Sequence, residues 1–218
     1  MRISLIGMAG TGKSYWSERL MEMGFRRIWC DRLIEEKLAP QLTGSDGSIL
    51  TPGEWMGFPY EPAYHEREAL YLAREREVLA EILDLIETQR LGVDRDIVVD
   101  TGGSIIYVGE DLLHRLSRLT TIVYLSIPEE ELEPLLQAYL SKPHPMLWQG
   151  WFSMNPGETR REALARSYRT LFAARKKQYE KLAQITIDSC LIRREGFGPV
   201  EFLNKLASRM SDSPRLEN

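Results

Sequence analysis

Eight residues near the start of the chain, Gly7-Met8-Ala9-Gly10-Thr11-Gly12-Lys13-Ser14, fit the pattern G-x-x-x-x-G-K-[ST] at every fixed position. Glycines let the backbone curl until successive N–H groups point inward, which makes a nest for phosphate oxygens. A helix beginning at the lysine aims the positive end of its dipole at the same oxygens. Lys13 would reach the β- and γ-phosphates of a nucleoside triphosphate, and the Ser14 hydroxyl would ligate Mg²⁺. Gly7, Ala9, Gly10, Thr11, Gly12, Lys13 and Ser14 are therefore the candidate nucleotide-binding residues, with ATP and Mg²⁺ as the expected ligands.

A second candidate is the apolar run Asp96-Ile97-Val98-Val99-Asp100, a strand that ends in a carboxylate. Asp100 either helps to hold the metal, or accepts a proton from the attacking group, or merely caps the turn Thr101-Gly102-Gly103. Sheets of this kind gather their ligands at the carboxyl ends of strands, which favours a role in the site.

These groups need elements to hold them, and strands alternate with helices along the chain. Residues 3–6, 25–30, 96–100, 121–126 and 185–188 read as short strands. Helical spacing covers 13–23, 31–38, 63–89, 111–119, 129–140, 159–182 and 200–210. Alternation of this kind implies parallel strands joined by helical crossovers. The expected fold is α/β: a three-layer P-loop NTPase fold with a mainly parallel five-stranded sheet, forming one domain over 1–210 with a polar tail over 211–218.

Two segments interrupt the pattern. Residues 39–62 hold Pro40, Pro52, Pro59 and Pro62 with Gly44, Gly47, Gly53 and Gly57, which excludes a long helix. Trp55, Phe58 and Tyr60 imply that this insertion packs on something. Residues 141–158 are irregular and aromatic and read as a lid. Trp148, Trp151 and Phe152 either shield the site on closure or form a small core of the lid itself.

The whole chain sets outer bounds. It has 218 residues, 43% hydrophobic and 28% charged, enough for one good core. A formal net charge of −4 argues against a dedicated nucleic-acid binder. Cys30 and Cys190 lack metal-ligand or redox spacing and read as two reduced core thiols. No apolar run approaches the ~18 residues of a membrane span, so no membrane partner is expected. The apolar start is too short for a signal peptide, and a cytoplasmic protein is expected.

The P-loop, Asp31-x-x-Ile34-Glu35, Thr101-Gly102-Gly103, Glu75-Arg76-Glu77-Val78-Leu79, Arg175-x-x-x-Tyr179-x-x-x-Ala183 and Ile187-Asp188 together resemble the shikimate kinases, over about residues 2 to 190. The resemblance implies transfer of the γ-phosphoryl group of ATP to a hydroxyl of a small molecule. It implies that Asp31 bonds acceptor hydroxyls near the reacting one, and that Gly102 and Gly103 let the acceptor approach the backbone. It implies that Arg175 grips an acceptor carboxylate and that Lys142, before Pro143, closes over the phosphates. Asp31 or Asp100 would accept the proton, and Lys13, Mg²⁺ and a lid cation would stabilise the transferring group.

The departures are informative. Trp29 stands where the family has a metal-side aspartate, so Asp100 becomes the stand-in. Leu72 stands where the family has a second carboxylate-gripping arginine, and a bidentate arginine is not replaced by leucine. Arg74 would point to another side of its helix. Ser104 replaces the third glycine of the turn. An acceptor other than shikimate is therefore expected. The rivals are a nucleoside or nucleotide kinase, with the insertion aromatics stacking a base, and an ATP-binding regulatory module without catalysis. Arg166 and Arg169 are further candidates for anion contact on a basic helix that otherwise reads as a solvated face. Arg193 and Arg194 lie where related folds contact adenine. His65 and His114 read as surface or packing residues, and His144 sits in the lid between Pro143 and Pro145.

Overall fold

The computed structural model describes residues 1–44, 47–90 and 96–212. Five parallel strands, β1 (Arg2–Ile6), β2 (Arg26–Trp29), β3 (Ile97–Asp100), β4 (Thr121–Ser126) and β5 (Ile185–Asp188), form a sheet in the order β2-β3-β1-β4-β5. Central parallel strands are covered on both faces and so read as nearly continuous apolar runs, which is what Ile3–Ile6, Ile97–Val99 and Ile122–Leu125 are. Their side chains alternate between two cores. Ile3, Leu5, Val98, Val123 and Leu125 pack with Trp16, Leu20, Phe202 and Leu206 on one face. Ile6, Val99, Ile122 and Tyr124 pack with Leu79, Ile82, Leu171 and Tyr179 on the other.

The helices are α1 (Lys13–Glu22), α2 (Cys30–Leu38), α3 (Pro52–Met56), α4 (Tyr64–Glu87), α5 (Glu110–Leu119), α6 (Leu132–Ser141), α7 (Arg160–Leu182), α8 (Ser189–Ile192) and α9 (Pro199–Asp212). Helices α1 and α9 cover one face of the sheet; α4, α5 and α7 pack over the other. The three expected layers are present, and the sheet is parallel throughout. Reversal of strand order beside β1 opens a crevice at the carboxyl ends of the strands, where the P-loop emerges.

Several boundaries differ from expectation, each for a local reason. Cys30 heads α2 instead of ending β2. Residues 129–131 form a 3-10 turn before α6, whose first turn holds Pro134, where the missing N–H costs least. The insertion contains the short helix α3, started by Pro52 and a capping box between Thr51 and Glu54. Helix α9 runs to Asp212, so helix occupies the first two residues of the expected tail; residues 213–218 lie outside the described residues. Cys190 is half-buried, not a core thiol, because α8 lies at the sheet margin; Cys30 is buried as expected. Among the described residues no helix is long and apolar enough to cross a membrane.

Candidate active site

The P-loop leaves β1 at Gly7, whose φ is +142° and whose absent Cβ would lie 2.8 Å from the carbonyl oxygen of Leu125. Only glycine combines that backbone with such close approach to β4. Gly12 precedes α1 with φ +98°; no side chain caps the helix and its first turn carries no acid. The first amides of α1 are therefore left for an outside acceptor. Lys13 folds back over the loop, its Nζ donating to the carbonyls of Gly7 and Met8, both at 2.9 Å. Burial lowers the Lys13 ammonium, while Asp100 and Asp31 pull it the other way.

Beside the loop lies a cavity of about 620 Å³. Ala9, Gly10, Gly12, Lys13 and Ser14 line one end. Asp31 and Glu35 of α2, Tyr71 of α4, and Gly103 and Ser104 after β3 line the other; Lys142 and His144 come from the loop after α6. Asp31 is exposed through the cavity, yet the protein packed around it raises its carboxyl, with Lys13 opposing and Asp100 reinforcing the shift. The Tyr71 phenol is its hydrogen-bond partner, and burial raises that phenol well above its usual value. Trp29 lines the same wall, half in solvent, with the Arg27 guanidinium 4.7 Å from its ring centroid.

Behind the wall the polar groups are closely bonded. Asp100 is buried, and its Oδ2 accepts from Arg27 and from Ser17, both at 2.9 Å. Arg175 is 2% exposed and donates to the Leu147 carbonyl at 2.6 Å, the Gly103 carbonyl at 3.3 Å and the Tyr107 hydroxyl at 3.3 Å. The Tyr179 hydroxyl also donates to the Gly103 carbonyl. Glu75, equally buried, accepts from Ser104 at 2.6 Å through Oε2, while its Oε1 is without a partner. Burial pushes the Glu75 carboxyl up to about 7. His144 is held down to about 4 by burial, next to the cations Lys13 and Arg175.

No protein-family model matches the chain, and no curated protein matches it. Solved structures do. The chain is similar to shikimate kinase from Acinetobacter baumannii in complex with shikimate, at 23% identity over 99% of this chain and 95% of that one, with a TM-score of 0.60. It is similar to shikimate kinase from Bacteroides thetaiotaomicron, at 18% identity over 95% and 98%, TM-score 0.59. It is also similar to dephospho-CoA kinase from Campylobacter jejuni, at 13% identity over 97% and 96%, TM-score 0.53. The fold is that of the shikimate kinases. At these identities the likeness carries the architecture alone.

Within that shikimate-kinase-like fold, one cavity gathers Ala9, Gly10, Gly12, Lys13, Ser14, Asp31, Gly103, Lys142 and Arg175 from the sequence-derived set. Gly7, Asp100 and Gly102 are buried behind its wall. Thr11 lies at a second cavity of about 390 Å³ with Gly10, Gly12, Arg193 and Arg194. Arg166 and Arg169 are not cavity residues; they pair with Glu158 at 2.7 Å and Glu133 at 3.3 Å. Leu72 is packed against the apolar core, and Arg74 is paired with Glu77 at 2.7 Å. The insertion aromatics do not line the cavity: Trp55 is buried in the core, and Phe58 and Tyr60 stack on each other and meet Tyr139 and Phe152. Trp148 is core as well, against Tyr139 and Tyr168, whereas Trp151 is exposed.

Sequence reasoning passed over Tyr71 and Glu75 as site residues. Their signal was the placing of acids, Glu68 and Glu75, within the buried stripe Tyr64, Tyr71, Val78, Leu79, Ile82 of α4, where a carboxylate is costly without a partner.

Proposed function

We propose that this chain is an ATP-dependent kinase that transfers a γ-phosphoryl group to a hydroxyl of a small molecule other than shikimate. One observation carries this reading: a single cavity has Lys13 and the uncapped start of α1 at one end and the Asp31 carboxylate at the other. The acceptor oxygen attacks the γ-phosphorus, the bond from that phosphorus to the β,γ-bridging oxygen breaks, and ADP leaves. The acceptor's proton goes to Asp31, whose raised affinity for protons suits it to that task. Asp100 is the poorer base, because its Oδ2 already accepts from Arg27 and Ser17.

Lys13 and Lys142 offset the charge on the moving phosphoryl group. Gly102 and Gly103 bring the acceptor against backbone, and Arg175 holds that turn in place through the Gly103 carbonyl. Ser14, a hard oxygen donor that lines the phosphate end, would hold Mg²⁺, and Asp100, buried behind the wall and paired with Arg27, would reach it only through water; the metal would neutralise phosphate charge when bound with the nucleotide.

The test is ADP release from purified protein with Mg²⁺-ATP and a panel containing shikimate, gluconate and nucleosides. Lys13→Ala should abolish release. Unchanged release in that variant would sink the P-loop assignment. Binding of ATP with no release for any acceptor favours the second reading, a nucleotide-binding regulatory module, to which the bonded state of Asp100 lends support.

A further inference from the structure

Resting on the kinase reading, we propose that Trp29 is a stacking platform for the acceptor. The acceptor is an uncharged hydroxylated ring, one face of which lies on the indole while adjacent hydroxyls meet Asp31 and Glu35. Trp29 ends β2 and lines the main cavity with 40% of its surface exposed, whereas Trp16, Trp55 and Trp148 are all buried. The open indole is also held in place. Arg27, two residues earlier on the same side of the strand, sets its guanidinium 4.7 Å from the ring centroid and is itself fixed to buried Asp100 at 2.9 Å. Trp29 and Asp100 are register partners across β2 and β3, so the indole stands at the carboxyl edge of the sheet, where ligands gather. An aromatic surface fixed from one side and open to a cavity is preorganised for stacking.

The groups beside the indole point to a neutral polyol. Asp31 and Glu35 stand one turn apart on α2, so they share a helix face, and both are open to the cavity. Ionised carboxylates only accept hydrogen bonds, and neighbouring hydroxyls of one ring donate to both. The charges lining the cavity come from Lys13 of α1, the two acids of α2, Lys142 after α6 and Arg175 of α7. With a triphosphate on Lys13 and Lys142, one guanidinium stands against two carboxylates, a balance too small to select an ion of either sign. Pro52 adds a further apolar surface from α3. An open-chain polyol would lose rotamer freedom on this wall, whereas a ring has little to lose.

The experiment is calorimetric titration of the full chain, with Mg²⁺ and a non-hydrolysable ATP analogue, using a neutral cyclitol, a methyl hexopyranoside, an open-chain hexitol and a nucleoside. One of the two ring polyols should bind about tenfold or more tightly than the hexitol and the nucleoside, the gain expected for covering the open part of an indole. Trp29→Ala should remove that preference, and Trp29→Phe should keep most of it. Binding should change tryptophan emission in the wild-type chain far more than in Trp29→Phe. In turnover, the Trp29→Ala loss should appear in the acceptor KM more than in kcat. Equal or undetectable binding of the ring and open-chain polyols, tighter binding of the nucleoside, or a ring preference that survives Trp29→Ala overturns the proposal. The wild-type comparison is decisive by itself, even where a variant folds poorly. The kinase reading fails separately: a ring polyol that binds with these signatures, while Mg²⁺-ATP yields no ADP with it, leaves the platform standing and removes the transfer.

Discussion

Arg27 donates to Asp100 at 2.9 Å between neighbouring strands β2 and β3, and both side chains are largely shielded from solvent, 12% and 2% exposed. The pair holds the acid at the end of β3 in one place beside Ser17 of α1. Removing Arg27 would leave a buried carboxylate with a single hydroxyl donor.

Arg27→Ala should therefore lower stability by about 3–5 kcal/mol, the range for a buried pair that loses one partner. Urea denaturation measures it, and Arg27→Ala combined with Asp100→Asn should recover part of the loss. A change in the single variant no larger than that of an exposed arginine would show that Asp100 is not held by this pair.

Glu75 makes stability depend on pH with a definite sign. Its carboxyl is raised from 4.5 to about 7, chiefly by burial. Between those values the folded chain holds a proton that the unfolded chain has lost, so rising pH weakens the fold. The contribution is complete below the lower value and gone above the upper one. Glu75→Gln stays neutral throughout, so wild-type stability minus variant stability should fall by on the order of 3 kcal/mol across the window. Denaturation midpoints at a series of pH values give the difference; an increase with pH would contradict the burial of this group.

The Tyr64 hydroxyl lies 2.7 Å from Glu68 Oε1 and 2.6 Å from the Met146 carbonyl, and it accepts from the Trp148 amide at 2.9 Å. One phenol thus ties the segment after α6 to α4. Tyr64→Phe should cost about 1–3 kcal/mol, because it strands buried polar groups. Limited proteolysis within 141–158 should quicken in the variant. Cleavage at the wild-type rate would mean that other contacts hold the segment.

Gly53 of α3 is packed so closely that a Cβ would collide with the Pro143 carbonyl. Gly53→Ala should displace the loop carrying Lys142 and His144 and cost about 1–3 kcal/mol of stability. Steady-state kinetics should register a higher KM for ATP and for the acceptor alike. A higher KM for one substrate only would show that the two segments move independently.

The sheet and its helices were legible because local periodicity carries them. The alternation of Ile3 and Leu5 against Ile6, and the apolar run before Asp100, depend only on near neighbours. The P-loop was legible for the same reason: its glycines and Lys13 are consecutive. Partners brought in by the fold were not. Nothing near Asp100 in the chain announces Arg27, which reaches it only when β2 pairs with β3. Arg175 was assigned to an acceptor carboxylate by resemblance, and nothing in its neighbourhood along the chain announces that it also donates to the Gly103 and Leu147 carbonyls, which are remote in sequence. For Trp55, Phe58 and Tyr60, composition says that they pack and leaves their partner open, since aromatic burial is non-directional.

The abutment of Gly53 on Pro143 has a thermodynamic corollary. Pro52 lines the cavity from α3, and Lys142 and His144 line it from the loop that α3 touches. On the kinase reading, a ligand that shifts one segment would shift the other, and occupancy at the two ends of the cavity would be energetically coupled. Such coupling is reciprocal by necessity. Whatever factor a bound nucleotide contributes to acceptor affinity, the acceptor must return to nucleotide affinity in equal measure.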